Sequence, residues 1–275
     1  MIKKNIKSFL QTLESSLKLL LFSNFKSKKE IILTSKEKQN LKIKILGNGN
    51  TLKKGGFIER EYDYMALNDY FLSESYFEVQ PLYYLVADPY YFYKQEGIEK
   101  IKKITQITHW KMFFFIPYNR GKNNFFKEME TDCVKICLYN SSPFESFTSI
   151  KHLFFDKMLA MPRVQNVLVA GIMMSIWLGY KTIELYGVEH SWLGLLSVDK
   201  DNNVLIQDKH FYDKEEVSKT VFKGLDGKPW KLHEVLYAYG RMFKSYWEIN
   251  DYIKGKNINI INKSPNSFID AFKKD

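Results

Sequence analysis

The sequence predicts an α/β fold: a parallel sheet with helices on both faces and a lid inserted late in the chain. Three observations carry that expectation. Short apolar segments alternate with helical ones along most of the 275 residues, and strands separated by helices pair in parallel. Apolar residues make up 45% of the chain, enough for a sizeable core. The rhythm is broken by one polar, turn-rich stretch, residues 195–230.

The N-terminal arm, residues 1–41, comes first. Residues 1–44 hold 11 Lys and 3 Glu, a charge of +8, so of the chain's net +10 only +2 belongs to the remaining 231 residues. Within the arm Ile6, Phe9, Leu10, Leu13, Leu17, Leu20 and Leu21 recur at helical spacing, with polar residues between them. No run approaches the roughly 18–20 apolar residues that span a bilayer. A basic amphipathic helix followed by KSKKE reads as an interfacial membrane anchor. The alternative is a helix packed on the body or on a second copy, as in a homo-oligomer. Nucleic acid is not an expected partner, because the body has no basic stripe or recognition motif.

After the arm, strands are expected at 42–47, 63–67, 82–87, 111–116, 134–138, 182–187 and 257–262. Helices are expected at 94–105, 144–158, 163–179 and 231–254, with a short one at 267–273. Residues 42–194 are expected to form the main α/β domain, 195–230 a lid, and 231–275 the helices and last strand that complete it. The clearest unit is RVQNVLVAGIMMSIWLGYKTIELYGVEHSW: a helix apolar nearly all round ends at Gly179, and a strand follows to Gly187. An insertion after a strand's carboxyl end lies where doubly wound folds bind ligands.

Cys133 and Cys137 in DCVKICLY lack metal-site spacing and have no second Cys pair to complete a zinc site. On a strand both would point to one face as buried thiols. With no clean signal-peptide pattern at the start, a reducing cytoplasm is the expected compartment.

Candidate site residues sit at successive strand ends. The first strand runs into Gly47, Asn48, Gly49, Asn50 and Thr51, which matches neither GxxxxGK[ST] nor GxGxxG. Glycines permit close backbone approach, and Asn side chains hydrogen-bond in both directions. Asn68 follows the second strand, and Asp88 with Pro89 the third. Glu189, His190, Ser191 and Trp192 follow the strongest late strand; His210, Tyr212 and Asp213 lie in the lid, and His233 near the start of the long helix. A histidine's ordinary pKa suits it to take a proton from a hydroxyl at neutral pH. There is no HExxH, and DKD at 199–201 has the surroundings of a solvated turn, so no metal is expected.

The motifs ILGNGNTL, ALNDYF, ADPYYF, LGYKTIELYGVEH and NKSPNSFIDAF, in that order over residues 42–275, resemble bacterial lipooligosaccharide sialyltransferases. They also resemble the wider group related to archaeal-type 6-hydroxymethylpterin diphosphokinase. The resemblance implies a Rossmann-like domain with a lid and a metal-independent glycosyltransferase that moves a sugar from a nucleotide donor to a surface glycan or glycolipid, on the cytoplasmic face of the inner membrane. It places Gly47, Asn48, Gly49, Asn50 and Asn68 around the nucleotide and makes a lid histidine the general base. His210 is preferred for that role, with His233 the alternative. The family's tyrosines after the late strand are replaced here by His190, Ser191 and Trp192, and a protonated His190 would face the leaving phosphate instead. Its Thr-Ser pair ahead of GYK is missing, with Asn166 and Val167 near that place. CMP-linked sialic acid is therefore one candidate donor among related acidic sugars. A pyrophosphokinase-like phosphotransferase and a non-catalytic binding module are the alternatives.

Overall fold

The computed structural model describes residues 2–22, 27–54, 56–118, 123–207, 220–224 and 226–275. Two helices come first, α1 (Ile2–Phe22) and α2 (Ser27–Ser35). The sheet then builds outward through β1 (Lys42–Leu46), β2 (Asp63–Leu67), α3 (Tyr76–Val79), β3 (Tyr83–Leu85), α4 (Tyr90–Tyr93), α5 (Gln95–Ile107), β4 (Met112–Pro117), α6 (Asn123–Lys127) and β5 (Val134–Tyr139). From there α7 (Thr148–Asp156) and α8 (Val167–Trp177) return the chain to β6 (Thr182–Tyr186) on the far side of β1. Three short strands follow, β7 (Leu196–Val198), β8 (Val204–Ile206) and β9 (Thr220–Val221), and then α9 (Leu232–Ile253), β10 (Asn259–Asn262) and β11 (Lys273–Lys274) close the domain.

The main sheet has eight strands in the order β11-β10-β6-β1-β2-β3-β4-β5, and every pairing in it is parallel. This is an α/β, Rossmann-like architecture. Parallel strands buried on both faces need apolar residues at successive positions, and alternate residues of each strand enter different cores. Ile43, Ile45, Met65 and Leu67 pack with α8 and α9 on one face; Leu46, Tyr64, Ala66 and Ile104 of α5 share the other. Lys44 falls in the second set and is fully buried, and its ammonium is satisfied by the Phe57 carbonyl at 2.8 Å and Glu59 at 2.5 Å.

α8 is buried on nearly all sides because it lies between the sheet and the outer helices. Asn166 caps its start by accepting from the Leu168 N–H at 2.9 Å, and Gly179, at φ 88°, ends it in the left-handed conformation glycine favours. The expected lid is, where described, a three-stranded antiparallel sheet, β7-β8-β9.

Three expectations are corrected. Residues 267–273 are not helical: the Phe268 N–H is held by the Glu189 carbonyl at 2.8 Å and the Ser267 hydroxyl by Val188 O, so the chain runs extended into β11. Cys133 and Cys137 do not share a face. Cys133 precedes β5 and packs with the α5 side, while Cys137 enters the α8 side, both as free thiols. The arm is not one unit either. α2 belongs to the body: Ile31 is fully buried, and Glu30 accepts from the Leu138 N–H of β5 at 2.9 Å.

Candidate functional site

The chain builds β1 to β5 in one direction and then crosses back to place β6 on β1's other side. The carboxyl ends of β1 and β6 therefore diverge, which is where open parallel sheets leave a crevice for ligands. A cleft of about 800 Å³ opens there, within the usual range for small-molecule sites.

The β1 and β6 ends are held together by glycines. Gly47 N–H donates to Tyr186 O and Gly49 N–H to Gly187 O, both at 2.9 Å. A Cβ on Gly47 would lie 2.4 Å from Gly187 O, and one on Gly49 would overlap the Glu189 carboxylate. The glycines of the first strand end are thus required by the neighbouring loop as well as by any ligand. Glu189 accepts from the Thr51 N–H at 2.8 Å and from the Thr51 hydroxyl, and so fixes the short 3₁₀ turn Asn50–Lys54.

The Asn48 amide nitrogen donates to Leu67 O at 3.3 Å, but its Oδ1 is buried without a partner among the described residues. The Oδ1 of Asn68 is in the same state. Asn68 has φ 49°, a left-handed conformation that Asn tolerates better than most residues. Two unpartnered acceptors at adjacent strand ends suit the hydroxyls or amino groups of a ligand.

On the opposite wall stand Asn166, Val167 and Leu168, which bring the N-terminus of α8 to the cleft. The carboxylates around the cleft are engaged. Asp69 accepts from Lys100 at 2.8 Å and from the Tyr91 hydroxyl at 2.7 Å, and Asp88 accepts from the Tyr90 N–H at 2.8 Å. No Lys or Arg is among the described lining residues. A ligand's negative charge would there meet backbone N–H groups, the partial positive charge of the α8 N-terminus and neutral side-chain donors.

His190 is the buried histidine of the cleft. It sits at φ 50°, its ring stacks on Trp192 with centroids 4.4 Å apart, and Nδ1 lies 3.1 Å from the Tyr246 hydroxyl. Burial pushes its pKa down to about 3. The expectation of a protonated His190 is therefore not met: in this pocket the imidazole is neutral at neutral pH. Either the Tyr246 hydroxyl or the ring Nδ1 donates across that contact, depending on the tautomer. With Nδ1 accepting, the neutral ring carries its proton on Nε2.

Of the expected site residues, the cleft brings together Gly47, Asn48, Gly49, Asn50, Thr51, Asn68, Asp88, Glu189 and His190. His210 and Tyr212 lie outside the described residues. His233 is exposed on the first turn of α9 and is not among the lining residues. The sequence reading missed Asp69, Tyr91, Asn166 and the Pro265, Asn266 and Phe268 wall. The last three follow β10 within NKSPNSF, the same strand-end position that marked the other loops. Among the described residues no group of three His, Cys, Asp or Glu is placed to hold a metal ion.

The fold and site define an α/β protein with a ligand cleft at the switch between β1 and β6. No family model, curated protein or solved structure matches the chain.

Proposed function

We propose that the protein is a glycosyltransferase that moves a sugar from a nucleotide donor to a glycan or glycolipid acceptor at the inner face of the membrane. The observation that supports this reading is the pair of unpartnered acceptors, Asn48 and Asn68, beside the α8 N-terminus in the cleft. Together they offer acceptors for a nucleoside and a positive pole for phosphate. The resemblance in sequence supplies the reaction class, with sialic acid and related acidic sugars as candidate donors and no resident metal.

In this reading the acceptor hydroxyl attacks the anomeric carbon, the bond from that carbon to the phosphate oxygen breaks, and the nucleotide leaves with the electron pair. His210 takes the acceptor proton, an assignment that rests on sequence. The Nε2–H of His190 donates to the leaving phosphate without needing to be charged, as oxyanion stabilisers do.

A thermal-shift panel of CMP, CDP, UDP, GDP and ATP with Mg²⁺ tests the reading. One of the first four is expected to raise the midpoint, and Asn48→Ala to weaken that nucleotide by about tenfold or more, the usual cost of a lost buried acceptor. His210→Ala is expected to abolish transfer and leave the shift intact. Stabilisation by ATP with Mg²⁺ alone overturns the transferase in favour of a phosphotransferase.

A further inference from the structure

We propose that α1 lies flat on an anionic lipid surface, its apolar side in the bilayer interface and its polar side on the protein. This names the surface behind the acceptor half of the reading above, but lipid binding itself does not depend on transferase chemistry.

The orientation of α1 is the reverse of an ordinary surface helix, which turns its apolar stripe inward. Its polar residues face the body. Gln11 donates to Glu145 Oε2 at 2.9 Å, Thr12 and Ser146 share a hydrogen bond at 2.7 Å, and Ser15 exchanges bonds with the Glu145 backbone at 3.0 and 3.2 Å. Apart from Leu19, which is buried, its apolar residues face out: Ile6, Phe9, Leu10, Leu13, Leu17 and Leu20 are between 54% and 68% exposed. At about 1.5 Å per residue this stripe, from Ile6 to Leu20, extends over roughly 20 Å of the 21-residue helix.

Charge selects the occupant. Lys7 and Lys18 are exposed on α1, and its one acid, Glu14, is already paired with Lys18. With four Lys and one Glu, α1 itself carries +3. An anionic headgroup layer supplies the opposite charge; a second copy of the same helix brings more lysine. No described helix is long and apolar enough to cross a membrane, so the fitting geometry is in the plane of the interface. Glu145, which anchors α1, accepts from Arg163 at 2.8 Å, three residues before the cleft-lining Asn166.

The test is co-sedimentation of the full chain with vesicles of phosphatidylcholine, with and without about 30% phosphatidylglycerol. The protein is expected to pellet with the anionic vesicles. Leu13→Asp with Leu17→Asp should lower partitioning by about tenfold or more. Because both side chains point outward, the thermal midpoint should stay unchanged. Lys7→Ala with Lys18→Ala should also weaken pelleting. Wild-type protein that stays in the supernatant at both compositions overturns the proposal. So does a wild-type dimer in sedimentation velocity that the leucine variant splits, without vesicle binding, which would make the face a self-interface. Nucleotide shifts are read in the absence of vesicles, so failure of the cleft reading and failure of this one are seen separately.

Discussion

The Tyr246 hydroxyl and the His190 imidazole are both buried and share a hydrogen bond through Nδ1. The same burial ties His190 to stability. An unfolded histidine titrates near 6.5, whereas this one is held down to about 3. Between those values the unfolded chain binds a proton that the folded chain does not. Stability from this residue is therefore complete above about pH 6.5 and is lost as the pH falls toward 3, by about 1.4 kcal/mol per unit. From pH 7 to pH 5 the loss is about 2 kcal/mol. Urea unfolding across that range should show the slope in the wild type and a flatter profile in His190→Gln. An unchanged slope would move the effect to another group. Asn68 shows a second residue whose identity has two causes, since its backbone needs a left-handed conformation and its Oδ1 is buried without a partner among the described residues.

At the scale of elements, the junction of β1 with β6 decides whether the cleft exists. Gly47 has no room for a side chain because the obstruction is backbone, Gly187 O, which cannot move without opening the strand pair. Gly47→Ala should cost about 2–3 kcal/mol, as overpacking at a rigid contact does. Gly49→Ala meets the Glu189 carboxylate, a side chain able to swing away. Its cost should be smaller, about 1–2 kcal/mol, and should come from releasing the Thr51 N–H and hydroxyl. The contrast is Gly240, exposed in α9 with open space around it. Gly240→Ala should stabilise the protein by about 0.5–1 kcal/mol through helix propensity alone. Thermal midpoints of the three variants check the order. If Gly47→Ala and Gly240→Ala shift alike, the tight junction is not limiting.

Across the whole molecule, what the sequence made legible was whatever depended on local pattern. Apolar runs such as KMFFFI and TIELYG could be read as strands because both sheet faces are buried, and the residues just past β1, β2, β3 and β6 marked the carboxyl edge on which the cleft opens. Asn166 was not legible as a lining residue, because it reaches the cleft only through the crossover from β5 to β6. Residues 267–273 misled because their helical composition is overridden by long-range bonds to Val188 and Glu189. The arm misled for a related reason. Lysine-rich spacing joined α1 and α2 into one basic segment, yet only tertiary contacts separate them. α1 exposes its apolar stripe, whereas α2 buries Ile31, pairs Thr34 with the Cys137 thiol and is bonded through Ser27 to Asn140 at 2.8 Å. Two truncations distinguish the roles. Removal of residues 2–22 takes away a helix that buries Ser15 and Leu19 and should leave a cooperative fold destabilised by about 1.5–3 kcal/mol, the worth of one buried Leu. Removal of residues 2–40 also uncovers β5 and strips the cap that Glu30 places on the Leu138 N–H. Losing one fully buried Ile is worth about 1.5–3 kcal/mol and the exposed hydrogen bonds about 1 kcal/mol each, so the longer deletion should lose several kcal/mol. Denaturant midpoints of the two proteins decide it, since equal midpoints would mean that α2 adds nothing to the body and that the arm is one unit after all.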